Sequence, residues 1–415
     1  MADPNLVRGG WRKFAPRDEL APVLSLEDDG GCIRLCCSAS GDENMFGGWI
    51  GTADLRPGRW YKAEIPVTYR GVTNPELFLY AEAGQHFLRF QRSGKNSGIF
   101  SGTFFHQKKE DGTDVGLFFR FSKQGSVVFH HPSITEISRP AHRKPKIAVT
   151  RFDHEVQTLT MEEQRRRIGR ILDDAGHCRP DAVLLPEAAP FVGVPYESWD
   201  FYRDGEKVPE GPVCRILAEK AARYRMYVIA GLMEVRDGYL YNTAVIFDRD
   251  GNFFGQYDKT HPTIGGLKRG ESPGKSYPVF DFDFGRGAVH ICYDEWFPEV
   301  SRLYALKGAE ILFLCVMGGK PITWRTRALD NGIYFAASSI NPPSMIIDSS
   351  GEIAAQISGD GVAAAECNLD YRKVNVYGDP TLSYGMPLWH PERRNVTDNR
   401  LLSELNILSN PNELT

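Results

Sequence analysis

"GAVHICYDEWFPEVSRLYALKGAEILFLCVM", residues 287–317, carries an apolar run ending on Cys292, a burst of acid at Asp294, Glu295 and Glu299, a helically spaced stretch, and a second apolar run. Strand, helix and strand in that order are the building unit of a layered α/β fold. The alternation extends in both directions from about Pro145. Upstream lie the strand "KIAVTRF" (146–152), a helix opened by the capping box Thr160–Glu163 with Ile168, Ile171 and Leu172 on its apolar face, and the strand "DAVLLPE" (181–187). Gly176 is placed to end that helix. A loop rich in Pro, Gly and aromatic residues (190–212) follows, then the helix "VCRILAEKAARYR" (213–225) and the strand "MYVIAGL" (226–232). A hairpin turns at Asp250-Gly251, and a strand pair over 280–292 turns at Gly285-Arg286-Gly287. Downstream, the helix "WRTRALDNG" (324–332), the strand "YFAASSI" (334–340) and a hairpin at Ser349-Ser350-Gly351 complete the order. Helices packed outside layered sheets are the expected architecture.

Residues 1–140 read differently. Short aromatic and β-branched runs such as "GRWYKAEIPVTYR" (58–70) and "GLFFRFSKQGSVVFHH" (116–131) are cut by glycine and asparagine, with no helical period. An antiparallel β-sandwich is the natural reading. "SRPAHRKPK" (138–146) reads as a linker. The expected organisation is therefore a β-sandwich domain over 1–140, an α/β domain over 144–385, and a tail over 386–415 with a short amphipathic stretch at Leu401, Leu402 and Leu405.

With 415 residues the chain suits two domains. Charged residues at 25%, apolar ones at 42% and a net charge of −4 describe an ordinary globular protein and give no electrostatic reason to expect nucleic acid or an anionic membrane as partner. The first twenty residues lack the apolar core of a signal peptide, and no stretch is long enough to span a bilayer, so the expected location is cytoplasmic. None of the eight cysteines forms a CxxC pair, so no metal site is expected and most should be small apolar fillers. The sequon Asn395-Val396-Thr397 then carries little weight.

Three polar residues stand at strand ends: Glu187 after "AVLLP", Lys259 after "FGQYD" and Cys292 after "GAVHI". A thiol is a nucleophile once deprotonated, a carboxylate can take and return its proton, and an ammonium can hold a developing oxyanion. Taken singly, each has a dull reading as core or solvated strand end. His261 and His290 raise a Cys-His dyad, and both are read as structural. Asp294 and Glu299 are read as binding backbone or arginine near the following helix.

The segments "LLPEAAP" (184–190), "YDKTHP" (257–262) and "HICYDEWFPEVSRLYALKGAEIL" (290–312) resemble the three signature segments of the nitrilase superfamily, the carbon-nitrogen hydrolases. "WRTRALDNGIYFAASSI" (324–340) and "MIIDSSGEI" (345–353) resemble its later helix and hairpin, so the likeness covers roughly 144–375. The resemblance implies a four-layer αββα sandwich for this part. It implies Glu187 as general base, Lys259 as oxyanion-stabilising cation, Cys292 as nucleophile and Glu271, in "LKRGESPG" (267–274), as the glutamate that positions lysine and substrate. Tyr293 would give its backbone N–H to the oxyanion hole, and Trp324 and Arg325 would be substrate contacts. The helix departs from the family's Arg-Ala-x-Glu-Asn at Asp330.

The implied activity is hydrolysis of a small amide through a cysteine thioester, with neither metal nor organic cofactor. Tyr293-Asp294 after the nucleophile places nitriles second, and an N-carbamoyl compound is a further alternative. The aromatic loop 190–212 frames the entrance. A reading of another class makes the β-sandwich a carbohydrate- or protein-binding module with Trp49 or Trp60 as stacking platform. A homodimer or larger homo-oligomer is expected, and light scattering at micromolar concentration should show a mass above that of one chain.

Overall fold

The computed structural model describes residues 5–29, 32–84, 86–106, 113–141, 143–152 and 157–370. They form two compact units that divide at residues 141–142. The tail over 386–415, its leucines and the Asn395 sequon lie outside the described residues.

The first unit is all-β. Its strands pair antiparallel in the order Val7–Phe14, Phe46–Ala53, Thr113–Arg120, Leu79–Ala83, His86–Gly94, Ser97–His106, Arg59–Arg70, Ser126–His130, Cys32–Ser38 and Val23–Asp29, with Ser133–Ile137 also on Arg59–Arg70. The His86–Gly94 strand joins two sheets, since His86 and Leu88 face Leu79–Ala83 while Arg89 onward faces Ser97–His106. One core that includes Leu35, Trp49, Tyr61, Ile65, Leu117, Phe119 and Phe129 fills the sandwich. Among the described residues, helical structure here amounts to single turns, Asp18–Leu20 and Pro75–Phe78. Trp49 is 2% exposed and its indole N–H donates to the Cys36 carbonyl at 3.2 Å, which removes it as a stacking platform. Trp60 is half-buried against Phe105.

The second unit holds two six-stranded sheets of matching design. In one, Lys146–Arg151, Ala182–Leu184 and Tyr227–Arg236 run parallel, with Tyr239–Phe247, Phe253–Asp258 and Gly361–Glu366 added antiparallel. In the other, Gly285–Ile291, Ile311–Val316 and Tyr334–Ser339 run parallel, flanked by Phe280–Phe282, Ser344–Ile347 and Ile353–Ile357. Successive residues of a strand face opposite sides. Ile147, Val149, Ile311, Phe313 and Cys315 thus meet in the layer between the sheets, while Ala148, Leu312, Leu314 and Val316 face helices. Both faces are covered, which is why these strands read as unbroken apolar runs. Met161–His177 and Pro212–Tyr224 lie on the first sheet, and Pro298–Leu306 and Pro321–Asn331 on the second. The result is a four-layer αββα sandwich.

Several boundaries differ from the sequence reading. The Thr160–Glu163 capping box forms, but Gly176 lies inside the last turn, where an added Cβ would stand 2.3 Å from the Tyr224 ring; close helix packing, not termination, requires the glycine. The strand pair turns at Asp283-Phe284, with Phe282 opposite Gly285, so Arg286 and Gly287 already belong to the strand. Gly361–Glu366 is a strand that the sequence reading did not anticipate. Among the described residues no helix is long and apolar enough to cross a membrane.

Phe313 is fully buried between the sheets. Phe313→Ala should destabilise the second unit by about 3–5 kcal/mol, read as a lower denaturation midpoint.

Candidate active site

Glu187 stands three residues beyond the Ala182–Leu184 strand, and its main chain is pressed against the neighbouring strand. An added Cβ on Gly231 would lie 2.6 Å from the Glu187 Cα, so only glycine admits this approach. Ala188 follows with φ +47°, which turns the chain sharply after the carboxylate. Lys259 directly follows the Phe253–Asp258 strand and is fixed by main-chain bonds on both sides, its N–H to Asn242 (2.8 Å) and its carbonyl from Gly274 (2.9 Å). Cys292 directly follows the Gly285–Ile291 strand with φ +45°, a left-handed conformation that costs a non-glycine residue about 1–3 kcal/mol and points the thiol out of the strand line.

Glu187 is 4% and Lys259 3% exposed, and the Lys259 ammonium donates to Glu187 Oε1 at 2.8 Å. The same oxygen accepts from Asn242 Nδ2 at 2.8 Å, and Oε2 accepts from the Met317 amide at 3.3 Å. The Cys292 thiol feels the charges of both Glu187 and Lys259. Burial first, and then the Glu187 charge, push the thiol pKa up against the opposing pull of Lys259. Burial works against the Lys259 charge, but Glu187 and the Cys292 sulfur outweigh it and hold the pKa above the usual lysine value. The raised thiol pKa favours the protonated form of Cys292, beside the Glu187 carboxyl that the Lys259 ammonium bonds.

Asp294 is fully buried and gathers donors from two directions. Oδ2 accepts from the Ile291 amide (2.9 Å) and the Tyr257 hydroxyl (2.8 Å), and Oδ1 from the His261 amide (3.1 Å), His261 Nδ1 (3.0 Å) and the Thr260 hydroxyl (3.3 Å). The carboxylate thus ties the elbow at Cys292 to the residues flanking Lys259. Glu295 accepts from the Lys320 amide at 3.1 Å and from the Trp324 indole N–H. Glu299 is exposed in the first helical turn, where a negative charge is favourable.

The other expected residues have distinct surroundings. Glu271 is buried at 5% exposure and accepts from Arg269 Nη2 at 2.8 Å. Tyr293 is exposed and sits edge-on to Phe297. Trp324 is buried against Glu295, and Arg325 is engaged by the Gly351 carbonyl (2.7 Å) and Glu352 (3.6 Å) at a hairpin turn. His261 stacks on Phe297 and serves Asp294. His290 is fully buried beside Tyr304 and Phe335, with neither ring nitrogen bonded and its pKa lowered to about 4 by burial, so it stays neutral at physiological pH. Asn242 and the Met317 amide were not anticipated; a lone asparagine inside a strand and a main-chain N–H leave no sequence signal.

Burial opposes the Asp294 charge, but the His261 hydrogen bond and the Ile291 and Tyr257 donors outweigh it and hold its carboxyl below the ordinary value. A depressed folded-state pKa contributes stability above the unfolded value that is lost as acid protonates the group. Asp294→Asn leaves at least one buried donor unmatched and should cost about 1–3 kcal/mol at pH 7. In denaturant titrations, the gap to the unaltered protein should close as pH falls below about 4.

The carbon-nitrogen hydrolase family model matches residues 147–373, more than half of the chain. An omega-amidase of Xenopus laevis, NIT2-A, is 32% identical over 234 residues, which cover 49% of this chain and 83% of that protein. A nitrilase of Pyrococcus abyssi is 31% identical over 182 residues, covering 43% of this chain and 69% of that protein. Among solved structures, Saccharomyces cerevisiae Nit3, a member of branch 10 of the nitrilase superfamily, is 24% identical with a TM-score of 0.49, covering 54% of this chain and 90% of that one. The chain belongs to the carbon-nitrogen hydrolase family.

Proposed function

We propose that the second unit hydrolyses the C–N bond of a small amide through a thioester on Cys292. Glu187 takes the thiol proton as the sulfur attacks the carbonyl carbon, so that no standing thiolate is needed. The Lys259 ammonium and the Tyr293 amide hold the oxyanion, and Glu271 orients lysine and substrate. As the C–N bond breaks, Glu187 returns the proton to the departing nitrogen, which leaves as ammonia or an amine. Water then loses a proton to Glu187, attacks the thioester and releases the acid, restoring the thiol.

The observation that carries this reading is the buried Glu187–Lys259 ion pair at 2.8 Å, whose two charges both act on the Cys292 thiol. A dry site strengthens each of these interactions, and a thiol of raised pKa beside a carboxylate suits coupled proton transfer better than a free thiolate. The similarity to an omega-amidase supports an amide substrate. The similarity to a nitrilase supports a nitrile as the second reading, for which the same sulfur would add to the nitrile carbon.

An ammonia-release screen over amides, carbamoyl compounds and nitriles separates these readings. Cys292→Ala should abolish turnover. Glu187→Gln should lower kcat by about 10²–10⁴-fold and Lys259→Met by about 10²–10³-fold. Intact-protein mass spectrometry during turnover should find an acyl adduct on Cys292, and turnover that survives Cys292→Ala overturns the mechanism.

A further inference from the structure

The second unit carries an open cleft of about 480 Å³ lined by residues 197–203, Leu240 and Arg269. Two sets of packed neighbours run from this lining toward the residues of the proposed triad. Leu240 bridges Glu271 and stands two residues before Asn242, the donor to Glu187, on the same strand face, a step of about 7 Å. Trp199 and Phe201 pack on a buried cluster that includes Leu240 and Ala188, the residue after Glu187.

Both cations of the wall are already matched. Arg203 Nε donates to Asp204 at 3.0 Å, and Arg269 Nη2 to Glu271 at 2.8 Å. With Glu197 and Asp200 also in the lining, an anionic ligand finds no unanswered charge. Aromatic surface remains at Tyr202, which is 51% exposed, while Trp199 packs against Phe191, Tyr196 and Phe201 and the Arg269 guanidinium lies 5.7 Å over the Phe201 ring. At Gly270 an added Cβ would stand 2.5 Å from the Tyr202 hydroxyl, so the aromatic loop and the turn carrying Glu271 touch.

We infer that this cleft is the subsite for a planar, uncharged group of the substrate, which makes the substrate class arylalkyl amides in preference to the shortest aliphatic ones. The inference rests on the amide-cleaving reading of the triad. The open cleft, about 480 Å³, has more room than an amide with a two- or three-carbon chain needs. On this reading an aryl ring on a short linker rests against Tyr202 while the amide carbonyl lies at Cys292.

The test compares 3-phenylpropionamide with propionamide. The aryl amide should show a kcat/KM at least about tenfold higher, carried mainly by KM. Tyr202→Ala should collapse that ratio and Tyr202→Phe should keep it, because the ring face and not the hydroxyl makes the contact. Calorimetry on Cys292→Ala protein should show 3-phenylpropionamide binding that disappears in the Cys292→Ala/Tyr202→Ala protein. Equal kcat/KM for the two amides, or a ratio untouched by Tyr202→Ala, overturns the subsite while leaving amide hydrolysis standing. Tyr202-dependent binding without hydrolysis of either amide upholds the subsite and overturns the reaction.

Discussion

The hydrolase unit is built around a charge pair almost wholly withdrawn from solvent, Glu187 being 4% and Lys259 3% exposed. Removing a carboxylate and an ammonium from solvent is expensive, and their mutual attraction repays it only with close geometry and further hydrogen bonds. Glu187 and Lys259 meet at 2.8 Å, and Asn242 and the Met317 amide supply the remaining donors to the carboxylate. This constraint explains features with no other evident purpose: the glycine at 231 that lets the Glu187 main chain approach, the left-handed Ala188, and the two main-chain bonds that pin Lys259. A pair this buried costs stability if either member is lost.

Glu187 and Lys259 come from one sheet, Cys292 and Met317 from the other. The apolar layer of Ile147, Val149, Ile311, Phe313 and their neighbours therefore does more than stabilise: it sets the spacing between the Cys292 elbow and Glu187. Close-packed interiors resist small displacements, which suits a reaction that fails when groups shift by an ångström. Asp294 adds a polar tie across the same gap, from the elbow at Ile291 to Tyr257, Thr260 and His261 around the lysine. That tie accounts for one of the acids crowded behind the cysteine.

The layered fold was legible because both sheet faces are buried, which leaves apolar runs with helical periods between them. The helix opened by Thr160 was legible because its capping box is a local contact. What stayed hidden depends on contacts far apart in sequence. Gly361–Glu366 is a strand only because Lys146–Arg151 lies beside it. Gly176 looked like a helix end, and Tyr224, 48 positions on, gives it another purpose. Cys292 adopts φ +45° without a glycine to announce the turn, because Asp294 closes the loop from outside the strand. The proposed site residues stood out as three polar strand ends, whereas Asn242, a strand-interior residue, did not.

The raised thiol pKa bears on how such a site avoids side reactions. A thiolate held permanently beside a cation is open to oxidants and stray electrophiles. Here burial and the Glu187 charge keep the sulfur protonated, and Lys259 alone does not reverse them. In the proposed reaction the balance changes when a carbonyl oxygen arrives at the ammonium: proton transfer to Glu187 then neutralises the carboxylate as negative charge moves to the oxyanion. The charge around Lys259 is conserved while its location shifts, so the site need not reorganise solvent to reach the transition state. In that proposed reaction, activation of the sulfur is coupled to occupancy of the site.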